Sequence, residues 1–296
     1  MRVVITGLLS ISCFAAGLVL MQRAYADERT AVSSVTQEAA TEPATPATTV
    51  WKQRRLSGSV LYFLDGASAR LRRFDFATTS WLSDIALDGD ADSFAVDATG
   101  IYVKFANRVE NVALDGSSRS TIPSVVGERP FIEVVGNYLF LGRQDNMSTA
   151  SSVVSYNKVT GALVSSRNTS GGFGGPSAID AEGRLFGARP FVTPGDIVVL
   201  EFNPGNGSIF NSFDSPYHGR YPDPTTTYAR QEGGMVIVNS GTVFNASTLQ
   251  YLGSLGGPVQ AVAYLADSFV VMRGGKLAVF SNDIRELGQL DAPVDL

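Results

Sequence analysis

His218 is the only histidine in the chain and Cys13 the only cysteine, and that scarcity narrows the chemistry open to it. Zinc sites built from several imidazoles or thiolates are excluded, and so are the paired-histidine constellations of zinc hydrolases. No Gly-x-Ser-x-Gly nucleophile elbow and no Gly-x-x-x-x-Gly-Lys-Ser/Thr phosphate loop occurs. The Gly-rich run 171–175 precedes a strand pattern, without the strand-then-helix setting of a nucleotide cradle. No complete active-site motif is present.

Two clusters stand above this background. Asp88, Asp90 and Asp92 alternate in Asp-Gly-Asp-Ala-Asp, which matches the start of a calcium loop. Alternate carboxylates in a tight loop converge hard oxygen ligands on one ion. Ser93 replaces the turn glycine, however, and Thr99 stands where the bidentate acid belongs. The segment therefore predicts weak Ca2+ binding at most, and the same residues read more readily as a bare acidic loop between blades. The second cluster is Ser212 to Pro224, with Tyr217, His218, Arg220 and Tyr221 among three prolines that stiffen it. Large rings on a stiff loop give contact area at low entropic cost, so these four residues are the candidate ligand or partner contacts. The competing reading is a loop that packs across its own domain.

The elements that must hold these clusters are set by a repeat. An apolar, usually aromatic residue followed by Asp, Asn or Ser, a polar turn and another apolar run recurs at FDFATTSWL, LDGSSRSTI, YNKVTGALV, FNPGNGSIF, FNASTLQYL and FSNDIREL. The second residues are Asp75, Asp115, Asn157, Asn203, Asn245 and Ser281, in steps of 40, 42, 46, 42 and 36. A period in the forties made of strands and turns is the signature of a β-propeller with one blade per repeat. Each period resolves into four strands. A short first strand ends in a turn such as Asp97-Ala-Thr-Gly100 or Asp180-Ala-Glu-Gly183, and a second follows that is apolar on both faces, as in Ile101-Tyr-Val or Met235-Val-Ile-Val. The third ends at the aromatic-Asp/Asn corner, whose short side chain accepts backbone N–H groups. Pro130, Pro176, Pro224 and Pro258 are each expected just before a first strand. The fold class is thus all-β, a six-bladed propeller over residues 51–296. Val50 to Ser57 forms its first inner strand, and the tail from Asp291 is expected to pair with the first blade. A seven-bladed ring would need a hidden copy, and the chain has no room for one.

The ends suggest export. Arg2 precedes an apolar stretch from Val3 to Met21, and Ala24-Tyr25-Ala26 supplies the small residues of a cleavage site, so residues 1–26 read as a signal peptide. The length of that stretch and Arg23 also fit an uncleaved membrane anchor. Residues 27–50, rich in Ala, Thr, Pro and Glu, bury too little to offset ordering entropy and read as a disordered linker. Removing Arg2 and Arg23 with the signal takes the formal charge from −5 to −7. An acidic balance argues against nucleic acid as a partner.

The corner Asn157-Lys-Val-Thr-Gly161 resembles that of quinoprotein-like and YVTN-type propellers. The turns in Ala95–Val103 and Ala178–Phe186 resemble those of NHL and gluconolactonase-type propellers. The resemblance covers residues 51–296 and implies a fold. Gluconolactonase-type propellers hold a divalent ion in the central channel with acids and Asn, and Glu133, Asp180 and Glu232 lie on or beside inner strands here. A quinone-cofactor dehydrogenase fits less well, since only Trp51 and Trp81 are present. The expectation is an exported, secreted or periplasmic binding module for a protein or carbohydrate partner of the cell envelope, without a cofactor beyond weak Ca2+. The alternative is a metal-dependent hydrolase.

Overall fold

The computed structural model describes residues 51–65, 68–75, 77–78, 80–123, 131–144, 150–170, 173–189, 195–230, 232–265 and 267–291. The leader and linker expected over residues 1–50 lie outside them. Within them the chain forms six four-stranded antiparallel sheets, each built from four consecutive strands. Blade 1 comprises β1 (Trp51–Ser57), β2 (Val60–Asp65), β3 (Arg70–Asp75) and β4 (Ser80–Ala86). Blade 2 comprises β5 (Ser93–Val96), β6 (Ile101–Lys104), β7 (Val109–Val112) and β8 (Arg119–Thr121). Blade 3 is β9 (Phe131–Val135), β10 (Tyr138–Gln144), β11 (Ala150–Asn157) and β12 (Leu163–Ser170). Blade 4 is β13 (Gly174–Ile179), β14 (Arg184–Ala188), β15 (Ile197–Phe202) and β16 (Ile209–Asp214). Blade 5 runs through β17 (Thr227–Ala229), β18 (Met235–Val238), β19 (Thr242–Asn245) and β20 (Tyr251–Ser254). Blade 6 runs through β21 (Ala261–Tyr264), β22 (Ser268–Arg273), β23 (Lys276–Ser281) and β24 (Glu286–Asp291). This is a six-bladed β-propeller, with β1, β5, β9, β13 and β17 side by side as its inner strands.

The second strands are apolar on both faces because each sheet is sandwiched between two others. Successive side chains of a strand point to opposite faces, and the core divides accordingly. Ile101 and Val103 of β6 pack with Leu64 and Leu71 of blade 1, while Tyr102 between them packs with Leu139 and Leu141 of blade 3. In β10 the same split sends Leu139 and Leu141 toward blade 2 and Phe140 toward Leu185 and Val198 of blade 4. Val236 meets Phe186 and Val199 of blade 4, and Ile237 meets Phe269 and Val271 of blade 6. The core is therefore a series of interblade layers, with a slip of one residue in any second strand exchanging its two neighbours.

All six corner residues stand where the third strand turns into the fourth: Asp75, Asn157, Asn245 and Ser281 end their third strands, and Asp115 and Asn203 follow theirs. Asp75 accepts from Ala77 N (2.9 Å), Asp115 from Ser117 N (2.9 Å), Asn157 from Val159 N (3.0 Å) and Asn203 from Gly205 N (2.8 Å). Asn245 accepts from Ser247 N (2.9 Å) and Thr248 N (3.0 Å), and Ser281 Oγ from Arg285 N (3.2 Å). Four residues beyond the Asn, the N–H of Gly161, Gly207 or Leu249 closes the turn on the Asn carbonyl. Gly161 and Gly207 take φ of 70° and 71°, and Leu249 adopts φ of 54° although it carries a side chain. Its burial against Phe244 and Val236 outweighs the strain of a left-handed backbone. Asn245→Ala should remove the acceptor for both N–H groups. A loss of about 1 kcal/mol is expected, measured as a shift of the urea midpoint with unchanged slope.

Two expectations about the links need correction. Pro176 lies inside β13, where the pairing with β14 breaks register between Gly174 and Ala178; the missing N–H is tolerated at that irregularity. Asp291 pairs with Lys276 of its own blade, not with blade 1, because β23 offers the adjacent free edge; the rest of the tail, residues 292–296, lies outside the described residues. Pro224 and Pro258 do precede first strands, and Pro130 lies outside the described residues.

Polar side chains tie blades 1 to 5 each to the corner of the next. Arg73 donates to Leu114 O (2.7 Å), Lys158 to Asp97 (2.8 Å), Tyr138 to Gly205 O (3.0 Å) and Arg230 to Asn282 (2.9 Å). Arg184 completes the series, reaching Ser247 on blade 5.

Candidate functional site

Residues 215–226, between β16 and β17, form the longest connection between blades. The loop does not project freely from the rim. Tyr217 and Tyr221 are half-buried against Phe244 of blade 5. Their rings meet edge to face at 5.4 Å, Tyr221 meets Phe244 at 5.5 Å, and Tyr221 stacks on Tyr251 at 4.9 Å. Contacts of this kind add about 0.5–1.5 kcal/mol beyond burial. The aromatic residues of the segment therefore anchor it. His218 and Arg220 are left exposed at a turn closed by Arg220 N on Tyr217 O (3.1 Å). Tyr217, Tyr221, Pro222 and Pro224 also wall a cleft at the junction of blades 4 and 5, with Gly195 and Asp196 on its other side.

A second set of residues converges beside that cleft. Asp196, just before β15, is 5% exposed, and its Oδ2 makes no well-aligned hydrogen bond. Its Oδ1 accepts from Ile197 N (2.8 Å). Burial pushes the Asp196 carboxyl above the usual carboxylate range, with the Ile197 N–H and His218 opposing. His218 Nδ1 lies 2.8 Å from Asp196 Oδ2. Asp214, the last residue of β16, completes the set, with its ligand atom within 4.8 Å of the other two. Arg189, at the end of β14, ion-pairs with Asp214 Oδ2. The sequence singles out His218 here but not Asp196, Asp214 or Arg189. They are brought together by the β14–β15 loop and the end of β16, and no local motif carries that signal.

Elsewhere the candidate acids are engaged by cations. Asp88 pairs with Arg119 (2.9 Å), Asp90 with Lys52, and Asp92 with Lys104, whose side chain is only 2% exposed. The three carboxylates of the calcium-like loop thus face three bases drawn from three different strands. Among the described residues, the group of acids and histidine with ligand atoms this close is the one at Asp196, Asp214 and His218.

Glu133, Asp180 and Glu232 are not brought together. Glu133 on β9 is buried and takes the Arg55 guanidinium of β1. Burial pushes Glu133 up to about 7, with Arg55 opposing. Tyr228 and Tyr264 extend this inner region: Tyr264 donates to Tyr228 O (2.8 Å), and burial raises both phenols. Burial also lowers the Arg54 guanidinium from its ordinary value, with Tyr228 opposing. Asp180 sits in the β13–β14 turn, accepting from Glu182 N (3.1 Å), Arg184 N (3.0 Å) and Arg184 Nε (2.9 Å). Glu232 is exposed in the β17–β18 turn beside Arg230. Two of these acids hold turns or the inner wall, and the third faces solvent.

No protein-family model matches the chain, and no curated protein matches it. Solved structures do. Kuenenia stuttgartiensis hydrazine synthase aligns over 84% of this chain and 81% of its own, with a TM-score of 0.57 at 14% identity. The WD40 β-propeller domain of Doa1 aligns over 83% and 86%, with a TM-score of 0.57 at 14% identity. A luciferin-regenerating enzyme aligns over 73% and 80%, with a TM-score of 0.54 at 13% identity. The likeness is one of fold. At such identity neither the enzymes nor the WD40 domain passes on a site residue.

Proposed function

We propose that this chain is an exported β-propeller that acts as an interaction module, binding a protein or carbohydrate of the cell envelope at the junction of blades 4 and 5. The observation that carries the reading is the anchored loop 215–226. Its tyrosines are packed onto blade 5, so His218 and Arg220 are presented on a backbone already held in place. Preorganisation lowers the entropy lost on binding. The exposed ring of Tyr251 and the exposed Leu252 continue the surface along β20. The leader and acidic linker read from the sequence supply export and reach, and the WD40-like fold is compatible with such a role.

The test is cross-linking and capture from the native envelope with the wild-type chain and Arg220→Glu. Arg220 is exposed, with Tyr217 as its ring neighbour at 6.0 Å, so the charge reversal should leave Tm within a degree or two. A specific envelope component should be recovered by the wild type and lost by the variant. Equal recovery by both would move the contact surface elsewhere. Turnover of a sugar lactone by the purified chain, with no component captured, would replace the module by the hydrolase.

A further inference from the structure

We propose that Asp196, Asp214 and His218 form a binding site for a divalent transition-metal ion of the zinc type, at the rim between blades 4 and 5. The site shares His218 with the proposed partner surface but needs no partner to form.

The first ground is geometry. His218 Nδ1 and Asp196 Oδ2 face each other at 2.8 Å, and an oxygen of Asp214 lies within 4.8 Å of both. Zinc holds imidazole nitrogen and carboxylate oxygen at about 2.0–2.2 Å, so two ligands of one tetrahedral ion sit roughly 3.4 Å apart, and the exposed His218 ring must swing back by about half an ångström to admit it. The second ground is the state of Asp196. Its residue is 5% exposed, and among the described residues Oδ2 makes no well-aligned hydrogen bond, a condition it shares with Glu110 Oε2. A buried carboxylate oxygen left without a donor is costly unless a charge stands over it. The unfilled oxygen points at the imidazole nitrogen.

The rest of the surroundings specify the class of ion. One nitrogen and two carboxylates suit zinc or a neighbouring transition metal, whereas Ca2+ asks for six to eight oxygens. Arg189 already neutralises part of Asp214, which leaves the trio one net negative charge before the ion arrives. Affinity should accordingly be micromolar, not that of a closed structural site. Asp196 also borders the cleft lined by Tyr217 and Tyr221.

Three features of the fold keep the trio in register. Ser215 N donates to Ile197 O (3.0 Å), joining the end of β16 to the start of β15. Gly195 N donates to Asp223 Oδ1 (2.8 Å), tying the far end of the loop to the residue before Asp196. The edge-to-face contact of Tyr217 with Tyr221, and the stack of Tyr221 on Tyr251, fix the backbone on either side of His218.

The experiment is equilibrium titration of the purified chain with Zn2+ alone, beside His218→Ala, Asp196→Asn and a control, Asp90→Ala, in the calcium-like loop. Wild type and control should each take up about one zinc per chain. His218→Ala and Asp196→Asn should bind roughly a hundredfold more weakly, since even groups behind a ligand cost ten- to a hundredfold. His218 is the only imidazole in the chain, so its NMR ring protons must shift or broaden as zinc is added. This readout stands even if Asp196→Asn folds poorly. No saturable uptake, an unchanged affinity in His218→Ala, or imidazole signals indifferent to zinc would each overturn the site and leave a plain His218–Asp196 ion pair. No envelope component enters this measurement, so its failure is distinct from a failure to capture a partner.

Discussion

Asp180→Ala should destabilise the propeller by about 3 kcal/mol, because it removes the buried partner of the Arg184 guanidinium and leaves it only the exposed Glu182 carboxylate. The side chain of Asp180 is fully buried and that of Arg184 is 7% exposed. Alanine would leave Arg184 Nε and two backbone N–H groups of the turn without their acceptor. It would also loosen the bond from Arg184 to Ser247, which joins blade 4 to blade 5. For a domain of this size the change corresponds to roughly 6–12 °C in Tm. Burial raises the Asp180 carboxyl, with Arg184 opposing, so the ion pair does not fully offset its desolvation. Asp180→Ala combined with Arg184→Met should therefore recover most of the loss. A thermal melt of the single and double variants checks both statements. If Asp180→Ala melted with the wild type, the turn would not depend on this carboxylate, and its role as a candidate ligand would reopen.

The same turn shows what the sequence discloses. Asp97-Ala-Thr-Gly and Asp180-Ala-Glu-Gly read alike, and both carboxylates accept the N–H groups of their turns. Such contacts are local, within four residues, so residue type and spacing reveal them. That is equally true of the six corners and of the second strands. What lies beyond local spacing was not legible. Tyr217 and Tyr221 look like free contact residues until Phe244 and Tyr251 are placed beneath them. Asp196 is one acid among many until the end of β16 brings Asp214 and His218 to it. Asp88, Asp90 and Asp92 suggest a cation loop because sequence shows the acids together and hides Lys52, Lys104 and Arg119 on other strands. A repeat tells which residues are equivalent, but partners across blades depend on how those equivalent units are rotated about the ring.

Glu133 should make the propeller lose stability as pH rises from about 5 to 8. Its carboxyl is pushed from an ordinary 4.5 up to about 7 by burial, with the Arg55 guanidinium opposing. Between those values the native chain holds a proton that the unfolded chain has released. The native state then binds more protons, so the slope of unfolding free energy against pH is negative. The stability contributed by the neutral carboxyl is fully present below about pH 4.5 and is lost as pH passes through about 7. The full swing is about 3 kcal/mol at the upper end, one unit of pKa being worth about 1.4 kcal/mol. Glu133→Gln keeps the shape and cannot ionise. Its urea midpoint should match the wild type near pH 5 and exceed it increasingly toward pH 8. Asp180 and Asp196 are raised by burial too and tilt both curves in the same sense, so the difference between the curves isolates Glu133. Parallel curves across that range would mean that the Arg55 contact holds Glu133 ionised throughout. The inner wall between β1 and β9 would then be joined by a full ion pair, and Arg55→Met should cost the stability that Glu133→Gln did not restore.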